Sequence, residues 1–562
     1  MKRSRSPSRS GSRSDRGRSR SRSRSRSKDS RSPYSRSRSR DASSKRRDNS
    51  RSPERLPSGI DYVKLTEADA AFILGKGGKT KAKIARVSKA YLELPPRSLT
   101  LEITGGAEER RKAKKYVECV MAQRVGDVVI DETDPNFNDD CTIVDVPNEC
   151  AGFVTGTNGS FLRQVEQEYG TIMFFICLKT DKSARRGRKG DDDEKLAIFG
   201  DRRGRRGSEL KVMVAIEHRL PGHLTKHMRP GPTDEDEWGT DVKELKMEEM
   251  SWALGKKGAT RKKLARASGA IVEYVGNFVH IAGSPEERGY AGEYLSWIMR
   301  QLDGPIQIPC KGREDVTVLE IPQECVGYVT GLKRATLSRI EDEWGAFMLF
   351  MDRKEDAHKK DTSTLAIFGL RRGRRGAELK VMSTVEGKTP LYFTRDVREG
   401  DERGEWGTDI YKFRGEELSY ALGREGSTKK KLARAADCIM EYVGEFAYIS
   451  GVKEERRRGM RYLRWLLKQR SGAVRLDELG VSKSYKDIHQ VTIPKEAIPE
   501  VMGSKGSGLR SIEEDTGTFL FMARDEDMAD VLVVCGADYE NRRRAEHDVH
   551  LIVQDVKHGR RG

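Results

Sequence analysis

Six times along this 562-residue chain, a glycine-led loop lies between two helical stretches, and a strand pair and a long helix follow it. That recurrence restricts the fold more than any other feature, because each copy has to be one packed unit. Copies of one kind lie at 146–175, 321–350 and 493–522 and open with a β-type residue and proline: Val146-Pro147, Ile321-Pro322 and Ile493-Pro494. Ten positions after the first residue stands a glycine: Gly156, Gly331 and Gly503. The helical stretches that follow carry Leu162/Val165, Leu337/Ile340 and Leu509/Ile512, and stop at Gly170, Gly345 and Gly517, as helix C-termini do. Copies of the second kind centre on 74–94, 254–274 and 422–442, with basic helices KTKAKIAR, ATRKKLAR and STKKKLAR. In these the strands are joined tightly, as at Gly276-Asn277, and the last helix carries an apolar stripe read as core: Tyr294, Leu295, Ile298 and Leu302, or Tyr462, Leu463, Leu466 and Leu467.

The two kinds alternate. A shared linker, Glu237-Trp238-Gly239-Thr240-Asp241 and Glu405-Trp406-Gly407-Thr408-Asp409, marks the duplication of a two-module block of roughly 170 residues. Its tryptophan either docks on a neighbouring module or caps the next strand. Modules near 70 residues bury a limited core, so packing against neighbours would help them. The expected fold class is α+β: a tandem array of six β-α-α-β-β-α modules at 59–125, 141–219, 240–303, 315–387, 408–471 and 488–558, after a disordered segment at 1–58.

This order, with an apolar residue and GxxG between two helices, resembles the type I KH domain as arrayed in vigilin and the poly(C)-binding proteins. The resemblance covers nearly everything after residue 58. It implies single-stranded RNA or DNA lying across each loop, with about four nucleotides held per module. The RNA-binding loops it implies are Gly75-Lys76-Gly77-Gly78, Gly156-Thr157-Asn158-Gly159, Gly255-Lys256-Lys257-Gly258, Gly423-Arg424-Glu425-Gly426 and Gly503-Ser504-Lys505-Gly506.

The residue types fit that chemistry. A glycine lets a sugar–phosphate backbone approach the main chain, and the following helix N-terminus favours phosphate. Lys76, Lys256, Lys257, Arg424 and Lys505 add charge at the same spot. Among 55 glycines about five GxxG spacings arise by chance, so the force lies in their recurrence within one context; a plain helix–helix turn is the alternative. Few aromatics are read beside the loops, so aliphatic packing and hydrogen bonding are expected to outweigh stacking.

The fourth copy reads Gly331-Leu332-Lys333-Arg334. Arg334 should obstruct close approach, although its guanidinium could grip a phosphate, and this module is expected to bind weakly or act structurally. The second loop lacks a cation and is expected to be weak too. Two runs, Arg202-Arg203-Gly204-Arg205-Arg206 and Arg371-Arg372-Gly373-Arg374-Arg375, precede the last helices of modules 2 and 4. They are read either as an auxiliary phosphate-binding surface or as a solvated arginine turn or import signal.

GKGGKT at 75–80 imitates the end of a nucleotide-binding P-loop, but Ile73 stands where that motif needs glycine, and the other copies lack its GK[ST]. No repeated acid, base or metal constellation is present, so neither catalysis nor a cofactor or metal is expected. The eight cysteines show no CxxC pair, which points to a reducing compartment. The histidine pairs His223/His227 and His547/His550 are read as ordinary solvated or packed side chains. No apolar run is long enough for a transmembrane helix, and the N-terminus has no apolar stretch of a secretory signal.

The net charge of +19 is misleading as a whole. Residues 1–55 hold 21 of the 107 Lys/Arg and 5 of the 88 Asp/Glu, a net +16, which leaves 86 against 83, or +3, for the rest. Attraction by the folded part must therefore come from local patches. The Ser/Arg repeats at 1–58 resemble the RS segment of SR-type splicing factors. That resemblance implies the nucleus, SR-directed kinases and splicing or ribonucleoprotein partners; the alternative is a basic arm for any polyanion. Phosphorylation of about ten serines would cancel the tail's charge. The expected function is multivalent single-stranded RNA binding in pre-mRNA processing or mRNP assembly, with a single-stranded-DNA-binding regulator and a protein-interaction scaffold as rivals.

Overall fold

The computed structural model describes residues 59–95, 98–131, 140–179, 193–232, 237–301, 306–351, 361–470, 472, 474–480, 485–525 and 529–559. The chain divides into Met1–Leu56 and Pro57–Gly562. The expected disorder at 1–58 lies outside the described residues.

The described part is α+β and repeats one unit six times. Module 1 shows the plan. Strand Gly59–Lys64 leads to helix Glu67–Leu74, started by Thr66, whose hydroxyl accepts from the Asp69 N–H while Asp69 reaches back to the Thr66 N–H. The loop follows, then helix Lys79–Ser88, strands Tyr91–Glu93 and Thr100–Gly105, and helix Ala107–Val125. The third strand lies between the first and second, antiparallel to both. Modules 3 to 6 repeat this order. In module 2 the segment Val128–Ile130 adds a fourth strand, parallel to Ile172–Leu178.

In each module the three helices cover one face of the sheet. The other face is apolar too, and the helices of the preceding module cover it. One continuous core joins Leu101, Tyr116 and Val120 of module 1 to Phe174, Ala197 and Phe199 of module 2. Its counterparts join Tyr294 and Trp297 to Phe347 and Phe368, and Tyr462 and Trp465 to Phe519 and Phe521. Between modules 2 and 3, Leu210 meets Ile271 and Ala282; between 4 and 5, Leu379 and Met382 meet Ile439 and Val443. Each fully buried large apolar side chain contributes about 1.5–3 kcal/mol, so a sheet buried on both faces stabilises what a lone module of this size could not. Among the described residues, only the first sheet keeps an open outer face, with Ile60 and Tyr62 exposed.

Polar contacts repeat at the joints as well. Tyr116, Tyr294 and Tyr462 donate to Asp140, Asp315 and Asp487, each lying just before the next module's first strand. Trp238 and Trp406 settle between modules: they pack in the clusters around Leu210 and Leu379, and Arg202 and Arg371 lie over their rings at 5.1 and 4.9 Å.

Candidate nucleic-acid interface

All six loops share one backbone path, and three of its four residues have positive φ. In the first loop Gly75, Gly77 and Gly78 have φ of 66°, 62° and 74°. The first glycine is required by its own module, since a Cβ on Gly75 would collide with Thr80 Oγ1. The fourth is different. A Cβ on Gly78 would meet nothing within 4 Å, and Arg334 holds the same conformation in module 4 at φ 67°. Beyond its preference for positive φ, module 1 therefore does not need a bare backbone at Gly78, whereas Gly159 and Gly506 face Arg163 and Arg510. The vacancy at Gly78 faces outward.

Lys76, Gly77, Thr157, Asn158, Lys256, Lys257, Arg424, Glu425, Ser504 and Lys505 are exposed at the loop tips, while Gly75, Gly156, Gly159, Gly255, Gly423, Gly503 and Gly506 are half-buried and Gly258 and Gly426 are buried in the turns. Behind the five intact loops, helices Lys79–Ser88, Ser160–Tyr169, Ala259–Ser268, Ser427–Ala436 and Ser507–Thr516 start without a side-chain cap. Each leaves N–H groups and the positive end of its dipole directed at the loop. Arg424 is paired only loosely with Glu425, 3.9 Å away.

The basic second helices are less basic than they read. Lys83, Lys263 and Lys431 bind Glu166, Glu341 and Glu513 of the next module. Arg86, Arg266 and Arg434 donate to backbone carbonyls of Glu166, Asp342 and Glu513. Arg261 and Lys429 are buried against Glu273 and Glu441, which Lys211 and Lys380 of the preceding modules also reach. Burial holds Lys429 below its ordinary value, opposed by Glu441. Lys79, Lys262 and Lys430 remain exposed beside the loops.

The arginine runs need a correction. They do not precede the last helices but form their first turns, in Arg202–Arg219 and Arg371–Lys388, and protein groups engage their guanidinium groups. Arg203 and Arg372 bind Glu287 and Glu455 of the next module, and Arg206 and Arg375 donate to Thr240 and Thr408. Arg205 donates to the Cys141 carbonyl, and Arg374 to Thr317 Oγ1 and the Glu314 carbonyl. Gly207 and Gly376 are there because the Tyr169 and Trp344 rings lie where a Cβ would be. These runs clamp modules together. Arg334 is likewise turned inward, to Glu341 at 3.0 Å and to the Met348 carbonyl.

A second correction concerns aromatics. Phe72, Phe153, Trp252, Tyr328 and Tyr420 each stand three residues before the first loop glycine, and all five are 40–59% exposed. Module 6 has Glu500 there. The fixed spacing was visible in the sequence, but the side chains are scattered among apolar neighbours that become core.

Clefts that adjoin the loops among the described residues are built from two modules. One, of about 430 Å³, brings Thr155, Gly159 and Arg163 of module 2 together with Phe72, Thr80 and Gln123 of module 1. Another, of about 610 Å³, is lined by Leu254, Lys257, Gly258 and Lys262 of module 3 and by Lys211 and His218 of module 2. No group of His, Cys, Asp and Glu able to hold a metal occurs among the described residues, and no described helix is long and apolar enough to cross a membrane.

The sequence matches the KH domain family at residues 62–119, 141–206 and 488–550. No curated protein matches the chain. Among solved structures, the a/eIF2alpha-aDim2p-rRNA complex of Pyrococcus horikoshii OT3 is similar at 16% identity, covering 30% of this chain and 90% of that one, with a TM-score of 0.15. Dim2p from the same organism is similar at 16% identity, covering 43% and 99%, with a TM-score of 0.12. A protein of unknown function from Aeropyrum pernix is similar at 17% identity, covering 31% and 89%, with a TM-score of 0.15.

Proposed function

Because the chain is a multi-KH-domain protein, matched to that family in modules 1, 2 and 6, we propose that it is a multivalent single-stranded RNA-binding protein of pre-mRNA splicing, processing or mRNP assembly. KH domains are nucleic-acid-binding modules rather than catalytic ones. The observation that carries the reading is the shared left-handed loop with exposed tips before an uncapped helix end, which in module 1 also leaves open space at Gly78 beside Lys76 and Lys79. A phosphate there meets N–H donors, a dipole and a lysine together. Weak sites held in one stack engage one strand at high effective concentration, so total affinity exceeds that of any module. Binding is assigned to the intact loops of modules 1, 2, 3, 5 and 6; the Arg334 loop is structural.

The Ser/Arg tail supports a nuclear location and contacts with SR-directed kinases and splicing or ribonucleoprotein partners, as a charge switched by phosphorylation.

The test replaces both variable loop residues by Asp in modules 1, 3 and 5, singly and together. The triple set should weaken single-stranded RNA binding far more than any one pair. It should also flatten the salt dependence by about 0.7 for each phosphate that is no longer engaged. Undiminished binding by the triple set would refute the reading. A matched DNA oligonucleotide in competition distinguishes RNA from single-stranded DNA as the ligand.

A further inference from the structure

We propose that the aromatic three residues before the loop in modules 1 to 5 is a base-stacking platform, and that it serves the cleft of the following module rather than its own. The proposal rests on the nucleic-acid reading above and adds how bases, as distinct from phosphates, are held.

An isolated exposed aromatic needs no explanation. Five at one repeated position do. Phe72, Phe153, Trp252, Tyr328 and Tyr420 all lie on a helix that contributes to its own core through other residues, such as Ile73, Val154, Ala253, Val329 and Ala421. Their contacts within their own modules are few, Phe153 with His218 and Tyr328 with Lys388, and Glu500 occupies the position in module 6.

The stack decides where these rings face. Between modules 1 and 2, the first helix of one module stands beside the loop of the next. Phe72 lines the same cleft as Gly159 and Arg163 of module 2. Phe153 packs on His218 at 5.8 Å between ring centroids, and His218 lines the cleft of Gly258 and Lys257 in module 3. Tyr328 has Lys388 over its ring at 6.0 Å, which leaves a cation beside an exposed π face. The module 1–2 cleft thus has a phosphate side on module 2 and an aromatic side on module 1, and Phe153 reaches the module 2–3 cleft through His218.

Single strands favour that pairing of features. A base offers a flat face to any ring, whatever its identity, and stacking of this kind is tolerant of sequence. A folded protein partner would need a contiguous apolar patch; here Phe72 shares its cleft with Lys83 and Arg163, and Tyr328 lies under Lys388. The occupant is therefore an unpaired nucleic-acid strand that alternates between a loop and a ring.

The experiment uses the full chain and a labelled single-stranded RNA long enough to cross all six loops. Replacing Phe72, Phe153, Trp252, Tyr328 and Tyr420 together by Ala should lower affinity by at least about tenfold. The dependence on salt should be unchanged, because the loops still hold every phosphate. Exchange among aromatics (Phe72→Tyr, Phe153→Tyr, Tyr328→Phe, Tyr420→Phe) should keep affinity. The alanine set should lower the melting temperature modestly, because each ring is partly buried, so affinity is compared at a temperature where melting shows every variant folded. For the composite cleft, Phe72→Ala should couple with Asn158→Asp in module 2 more strongly than with Lys76→Asp in module 1. If the Asp-loop variants lose binding while the alanine set does not, the stacking role is overturned and the loop reading stands. If neither set loses binding, the nucleic-acid reading falls first. Coupling of Phe72 to its own loop alone would overturn the composite arrangement.

Discussion

Lys83 in module 1 places its ammonium 2.9 Å from both carboxylate oxygens of Glu166 in module 2. The pair recurs as Lys263–Glu341 at 2.8 Å and Lys431–Glu513 at 3.0 Å. Each glutamate also accepts from the N–H that begins its own second strand, at Met173, Met348 or Leu520. One buried carboxylate therefore ties the second helix of the preceding module to the sheet it covers.

Burial pushes the Glu513 carboxyl above its ordinary 4.5, and Lys431 opposes that rise. Lys431→Met leaves the charge unpaired and should destabilise the module 5–6 joint by about 3–5 kcal/mol at neutral pH. The sign with pH follows from the raised value. The native state favours the protonated acid, so this group's contribution is full below about 4.5 and is lost as pH rises through its folded value. Urea titrations across that range should show a steeper fall in Lys431→Met than in the parent and a flatter profile in Glu513→Gln.

His280 is buried in module 3 with neither ring nitrogen hydrogen-bonded, and burial, aided by the charge of Arg206, lowers it to about 4. A lowered base stabilises the fold above its ordinary 6.5, and that stability is lost as pH falls towards 4. Tyr448 holds the same place in module 5, beside Arg375. His280→Tyr should therefore fold and should reduce the loss of stability between pH 6.5 and 4, measured by thermal melting; an unaltered acid profile would assign that loss to other groups.

The Trp406 ring, under Arg371 and against the Leu379–Ile439 cluster, joins modules 4 and 5. Because the ring is only half-buried, Trp406→Ala should remove about 2 kcal/mol, below the range for a fully buried tryptophan. The loss should be local. Amide exchange should accelerate in Trp406–Lys412 and Ile439–Val443 and stay unchanged in modules 1 and 2.

Arg334 holds a left-handed conformation at φ 67° and folds its guanidinium onto Glu341. Arg334→Gly should relieve about 1 kcal/mol of backbone strain, with Lys263 still neutralising Glu341. It also gives module 4 the outward vacancy that Gly78 leaves in module 1. In a chain whose loops 1, 3 and 5 carry Asp, this change should raise single-stranded RNA affinity above what loops 2 and 6 retain; if it does not rise, the missing glycine is not what silences module 4.

The order of elements, the six glycine loops and the apolar stripes were legible in the sequence. They depend on residues close along the chain, where spacing alone sets helix, turn and strand. The exposed loop tips at Lys76, Lys256 and Lys505 follow from the same local rules, because no neighbour is needed to expose a charged turn. Tertiary structure decided what the charges and rings meet. Arg203 and Arg372 read as free cations, but their carboxylate partners lie 84 and 83 residues away. Sequence showed that Trp238 and Trp406 recur, while only the stack placed them between modules. Phe72 and Gly159 belong to different repeats, and they line one cleft because the module 2 sheet is apolar on both faces and buries its second face under the helices of module 1.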